Sequence, residues 1–225
     1  MRSFLHSSVG KKAVVAVTGL LLLGFVIMHL AGNLSIFLGP EALNAYAAKL
    51  RHFGWLLWVA RIGLLLVVTV HIVLAIVVTR ENRAARPIPY EVSRAVDTTL
   101  AARTMMISGL LLAVFIGYHL LHFTFHVVHA AEAHRVDSLG RHDVFSMVVL
   151  SFQDPVLVAW YVMAMAILSS HLHHGIGSWL QSLGLTNERF LPAIRRIAGI
   201  VAWLIFLGYS AIPVAILAGV VRGRS

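Results

Sequence analysis

Cutting the chain at every Asp, Glu, Lys and Arg leaves five long uncharged runs, 13–40, 62–79, 104–131, 155–187 and 197–221. A mostly apolar run of about 20 residues spans a hydrocarbon layer of about 30 Å as a helix. The pattern therefore predicts helices at about 13–38, 54–79, 104–130, 155–183 and 196–221. The predicted fold is all-α, a single domain over 1–225 that forms an integral membrane bundle of five transmembrane helices. Five spans use nearly the whole chain and leave no room for a soluble catalytic domain.

The connections read differently. Residues 1–12 are basic, with Arg2, Lys11 and Lys12. Gly39-Pro40-Glu41 opens a short surface helix that runs to Phe53. The loop ENRAARPIPYEVSRAVD is rich in arginine and broken by Pro87 and Pro89. The segment Glu132–Asp154 reads as a loop with His134 and His142. Pro213 predicts a kink in the fifth span.

Composition supports a membrane protein: 59% of residues are hydrophobic, 12% are charged, and the mean hydropathy is +0.86. With no cysteine, disulfides, thiolate zinc sites, iron–sulfur clusters and covalently attached haem are excluded. The first apolar run is too long for a signal peptide and lacks a clear cleavage site. The net charge of +9 reads as basic loops beside anionic lipid, not as a nucleic-acid surface. With the N-terminus cytoplasmic, eleven of the eighteen Lys and Arg residues fall on the inner side, which favours that orientation.

Histidines then change the picture. His29 lies 16 residues after Ala13, His71 17 after Gly54, His119 16 after Arg103, and His171 16 after Pro155. At ~1.5 Å per residue each sits ~24–26 Å from the face where its helix enters. Spans one and three enter from inside, and two and four from outside. His29 and His119 therefore pair in the outer half, and His71 and His171 in the inner half. Two facing imidazoles suit the axial positions of a b-type haem, and filling both suits electron transfer rather than oxygen chemistry. Gly24, Gly32, Gly117, Gly175 and Gly177 would let a porphyrin approach the backbone.

The third span carries further histidines, His122, His126 and His129, whose spacing from His119 keeps all four on one helical face. They read as interfacial or hydrogen-bonding residues. His173 and His174 compete with His171 as the ligand in SSHLHHG. A histidine-rich divalent-metal transporter is the alternative. Against it, all nine acidic residues lie outside the hydrophobic centres, where a cation path normally holds a carboxylate. A haem-free structural anchor is the third reading.

MHLAGN around His29, HIVLAIVVTRENRAARPIPY from His71, SGLLLAVFIGYHLLHF before and after His119, and HLHHGIGSWLQSLGLT in the fourth span together carry a resemblance. The chain resembles the cytochrome b membrane-anchor subunit of succinate dehydrogenase and fumarate reductase (complex II), in its single-chain, five-helix, two-haem form. The loop pattern NRxARPxxY is its most specific piece, and the likeness covers nearly the whole chain.

The resemblance implies two haem b groups, a proximal one on His71 and His171 and a distal one on His29 and His119. It favours His171 over its neighbours, because the ligand stands four residues before a glycine, here Gly175. Ser169 stands where some two-haem relatives have a glutamate linked with proton transfer, so no such path is expected. Arg103 is a weak candidate for a haem propionate partner. The implied partners are a flavoprotein subunit, an iron–sulfur subunit docked on the inner face, membrane lipid and a quinone, with menaquinone favoured. The implied location is a bacterial cytoplasmic membrane. The resemblance also allows a trimer of complexes.

Overall fold

A computed structural model describes residues 7–85, 100–128, 135–184 and 189–223, with the side chains of 100–103 and 181 left out. Among the described residues there are seven α-helices: α1 (Ser8–Asn33), α2 (Pro40–His52), α3 (Trp55–Ala84), α4 (Leu100–Phe123), α5 (Val144–Ser151), α6 (Pro155–Ser182) and α7 (Leu191–Leu217). Five of them, α1, α3, α4, α6 and α7, are long and apolar enough to cross a membrane. The chain is an all-α, multi-pass membrane bundle.

The helix ends follow capping rather than charge. α1 begins at Ser8, before the expected start, because the Ser7 hydroxyl accepts the Gly10 N–H at 3.0 Å. Its end tightens into a 3-10 turn over Leu34–Leu38. α3 continues past Thr79 to Ala84, since charged residues leave the lipid without leaving the helix. α7 starts at Leu191, with Pro192 in its first turn, and runs through Pro213 to Leu217. Proline suits a first turn because its missing N–H would have no intrahelical partner there.

Two expectations need correction. The third span stops at Phe123, not at residue 130. The chain closes on itself there: the N–H groups of Phe125 and Val127 reach the carbonyls of Leu120 and Leu121, both at 2.8 Å, and His126 takes φ 54°. These bonds satisfy the last carbonyls of the helix and turn the chain away. The segment expected to be a loop before Asp154 holds α5, capped by the Asp143 carboxylate accepting the Ser146 N–H at 3.0 Å.

α6 is central to the packing, touching α7, α4 and α1. α3 lies against α1 and only lightly against α4, and none of its residues is buried. The main apolar core sits at one end, where Ile36, Leu43, Phe115, Phe145, Val149, Phe152, Leu157 and Tyr161 meet. A polar clasp closes that end. Asn44, 2% exposed, donates to Asp143 at 3.0 Å and accepts the Phe145 N–H at 2.9 Å. Arg141 holds Glu41 through two bonds of 2.9 and 2.7 Å, and Asp137 at 2.7 Å. α2 is thereby fixed over the bundle, and Tyr46 packs so closely on Gly32 that any Cβ there would collide with its ring. At the opposite end Lys11 pairs with Glu81.

Candidate functional site: two pairs of histidines

His29 on α1 and His119 on α4 face each other at the clasped end. Their ring centroids are 5.9 Å apart and their planes cross at 87°. Phe25 stacks on His29 at 5.3 Å, and Phe115 and Phe123 flank His119 at 6.0 and 5.6 Å. The Tyr209 ring of α7 lies 6.2 Å from His29, while its hydroxyl is tied to the Val26 carbonyl at 2.8 Å. The Nδ1 atom of His119 is buried with no hydrogen-bond partner among the described residues. An unpaired imidazole nitrogen in an apolar setting costs free energy unless something binds it.

His71 on α3 and His171 on α6 are the second two, each lying against the helix of a neighbouring span. Each is held through Nδ1 by the preceding membrane-spanning helix, α1 for His71 and α4 for His171. His71 Nδ1 lies 3.0 Å from the Thr18 hydroxyl of α1 and 3.2 Å from the Val15 carbonyl. His171 Nδ1 lies 3.0 Å from the Ser108 hydroxyl of α4. The next residue is glycine in both places. A Cβ on Gly19 would come within 3.2 Å of His71 Cε1, and one on Gly109 within 3.3 Å of His171 Cε1. Each imidazole thus lies directly on a neighbouring helix backbone.

The other histidines separate from these four. His122 is 2% exposed and bonded to the Tyr161 hydroxyl at 3.0 Å and to Ser151 Oγ at 3.1 Å. It is a hydrogen-bonding core residue. His126 lies beyond α4, with its ring 5.8 Å from that of His142. The four-step ladder on one helical face therefore does not form, because α4 ends first. His129 and His134 lie outside the described residues. His174 bonds Ser178 at 3.0 Å, one turn along its own helix, and His173 lies near Gly199 of α7. His171 alone of that trio meets α4. Ser169 donates to the Ala202 carbonyl of α7 at 3.0 Å.

The spacing of His29 and His119 is compatible with a group held between two imidazoles. Two metal–imidazole bonds of about 2 Å each separate ring centres by about 6 Å, close to the His29–His119 spacing. The space beside Gly24, Gly117, Gly175 and Gly177 is open at the position a Cβ would take. Gly32 does not belong to that set, since Tyr46 fills its flank. The Arg103 side chain and the NRxARPxxY residues from Arg86 to Tyr90 lie outside the described residues. Among the described residues no group of three or more His, Cys, Asp or Glu converges on a point that could hold a metal ion by itself.

A cavity of about 540 Å³ opens at the clasped end beyond His119, lined by Arg51, Trp55, Trp58, Arg61, Phe123 and His126 among others. The Arg61 guanidinium lies 5.1 Å from the centre of the Trp58 ring. A cation on an aromatic face is stabilised by the ring quadrupole.

Thr18, Gly19, Ser108 and Gly109 escape a reading based on charge and histidine depth. Their signal is an internal repeat: TGLLLLGFVIMHL from Thr18 matches SGLLLAVFIGYHL from Ser108, with seven identities in thirteen positions. In both copies a histidine follows the hydroxyl residue by eleven positions, three helical turns and ~16 Å along the axis. No family model matches the chain, and neither does any curated protein or solved structure.

Proposed function

We propose that this chain is the di-haem cytochrome b membrane anchor of a succinate dehydrogenase or fumarate reductase. It sits in a bacterial cytoplasmic membrane with its N-terminus inside, and joins an iron–sulfur partner to a membrane quinone, menaquinone by preference. The observation that carries this reading is the gathering of four histidines from four spans into two pairs. Haem b bound at each pair would supply one-electron transfer, with both axial positions filled.

The chain's own residues do the rest. His71 and His171 would hold the proximal group, and His29 and His119 the distal one. Thr18 and Ser108 orient the first pair, and Phe25, Phe115 and Phe123 exclude water from the second. Arg80 and Arg83 at the end of α3 suit a surface for the iron–sulfur partner. The cavity beyond His119 supports a quinone at the clasped end. Trp55 and Trp58 offer flat walls to a quinone ring, and Arg51 and Arg61 offer N–H donors to its oxygens. Reduction at that side would couple electron flow to the membrane potential, worth about 2.3 kcal/mol per charge per 100 mV.

The test is the dithionite-reduced minus oxidised spectrum of the purified chain, with haem per chain measured as the pyridine haemochrome. Two haems b are expected, and His29→Ala and His71→Ala should each remove a different one. A haem-free protein containing zinc would turn the reading to metal transport. A protein with neither would leave a structural anchor.

A further inference from the structure

The tautomer of the inner histidines is written in the hydrogen bonds of the helices beneath them. The Thr18 hydroxyl donates to the Val14 carbonyl at 2.7 Å, one turn back in α1. The Ser108 hydroxyl likewise donates to the Met105 carbonyl at 3.0 Å in α4. Each hydroxyl has one hydrogen, and that hydrogen is already committed. Toward the imidazole each can therefore only accept. The Val15 carbonyl 3.2 Å from His71 Nδ1 can only accept, so His71 is the Nδ1–H tautomer, and the matching Ser108 contact favours Nδ1–H on His171. Their Nε2 atoms are then the bare nitrogens, and among the described residues no hydrogen bond reaches either one.

We infer that Thr18 and Ser108 are positioning residues for the inner pair, fixing which nitrogen of His71 and His171 is offered to a metal and how basic it is. The glycine after each hydroxyl lets the ring approach close enough to make the bond. The inference rests on the two-haem reading proposed above and concerns the same site. A ligating imidazole that donates its other N–H to an oxygen gains electron density at the metal-bound nitrogen and keeps one orientation. That favours the ferric over the ferrous state. His119 of the outer pair makes no such bond, its Nδ1 being buried without a hydrogen-bond partner among the described residues. The repeat thus builds two unequal levels from one motif. Its hydroxyl end tunes the histidine of the following span, and its histidine end serves the outer level ~16 Å away.

The two halves also differ in a way that sharpens the test. His71 Nδ1 has a second acceptor in the Val15 carbonyl, whereas among the described residues His171 Nδ1 meets Ser108 alone. Removing Ser108 should therefore matter more than removing Thr18.

The experiment uses the full chain with its native haem complement. Midpoint potentials come from a redox titration of the visible bands, and the low-spin ferric g values from electron paramagnetic resonance. The His71→Ala variant identifies the inner signal. In Ser108→Ala the inner potential should rise and its largest g value shift, with the outer haem unchanged. Thr18→Val should do the same to a smaller extent, and Ser108→Thr and Thr18→Ser should restore both readouts. An inner signal unchanged in the Ser108→Ala/Thr18→Val double variant would overturn the inference, as would shifts confined to the outer haem. If Ser108→Ala does not yield a folded bundle, Thr18→Val against Thr18→Ser decides. A wild-type chain without haem would instead defeat the two-haem reading, and this inference with it.

Discussion

His122 offers the sharpest separation of a structural histidine from a ligand. Its ring is stacked on Phe123 at 3.8 Å between centroids and bonded to Tyr161 and Ser151. His122→Ala leaves two defects of different kinds. The void left by the ring costs about 2 kcal/mol, less than for a larger Phe. The Tyr161 hydroxyl, on a side chain only 7% exposed, loses its partner at a further cost of about 2 kcal/mol. Ser151 suffers little, because it still donates to the Met147 carbonyl at 2.8 Å. Tyr161→Phe alone removes one hydrogen bond of His122 and should cost roughly 1–2 kcal/mol.

The double variant should then be no worse than His122→Ala, because removing the hydroxyl removes the stranded group. The two changes would be non-additive by roughly 2 kcal/mol. The assay is equilibrium unfolding in mixed detergent and denaturant micelles, followed by circular dichroism, with haem content measured beside it. Additive losses would refute the hydrogen-bond argument. Loss of haem from His122→Ala but not from Tyr161→Phe would make His122 a ligand and refute the assignment of the site.

Asn44→Ala should destabilise the clasped end by about 1–3 kcal/mol, because it strips the Asp143 carboxylate and the Phe145 N–H of a buried partner; amide exchange in α2 and α5 would report it. The same clasp should fail in acid. Burial pushes the Asp137 carboxyl up, but hydrogen bonds from Arg141 and the Leu139 and Arg141 N–H groups outweigh it and hold its pKa below the ordinary 3.8. The hydrogen bond from Arg141 holds Glu41 below 4.5. Carboxylates depressed in the folded state stabilise it fully above their unfolded values and lose that contribution as the pH falls through the folded ones. Proteolysis between Gly39 and Ser151 should therefore rise only as the pH drops below about 4; susceptibility that already changes between pH 7 and 5 would contradict this. Arg61→Gln should raise the apparent KM for a soluble menaquinone analogue while leaving both haems bound, and an unchanged KM would remove the cavity from the quinone reading.

The spans are legible because each charge inside a lipid-facing helix is costly, so uncharged runs mark them directly. The approach of His29 to His119 is legible for a similar reason: a fixed rise per residue converts position into depth. Capping is harder to see. α4 ends without the usual glycine, its reversal falling on His126 at φ 54°, and hydropathy alone carries the span on to residue 130. α5 hides because its eight residues, VFSMVVLS, are too few to signal a helix between Asp143 and Asp154. Thr18 and Ser108 hide in another way. A hydroxyl in an apolar helix looks like a tolerated polar residue until a histidine from the following span is placed above it.

α3 buries no residue and leans chiefly on α1, joined to α2 through Gly54 at φ 52°. Such a helix has α1 as its main partner and meets α4 only lightly, so movement away from the rest of the bundle would mainly break its packing on α1. It also carries His71, one of the four paired imidazoles. On the two-haem reading, α3 would be the span that moves to admit a haem from the bilayer. A group that joined His71 to His171 would then tie α3 to α6, linking occupancy of the site to the stability of the bundle.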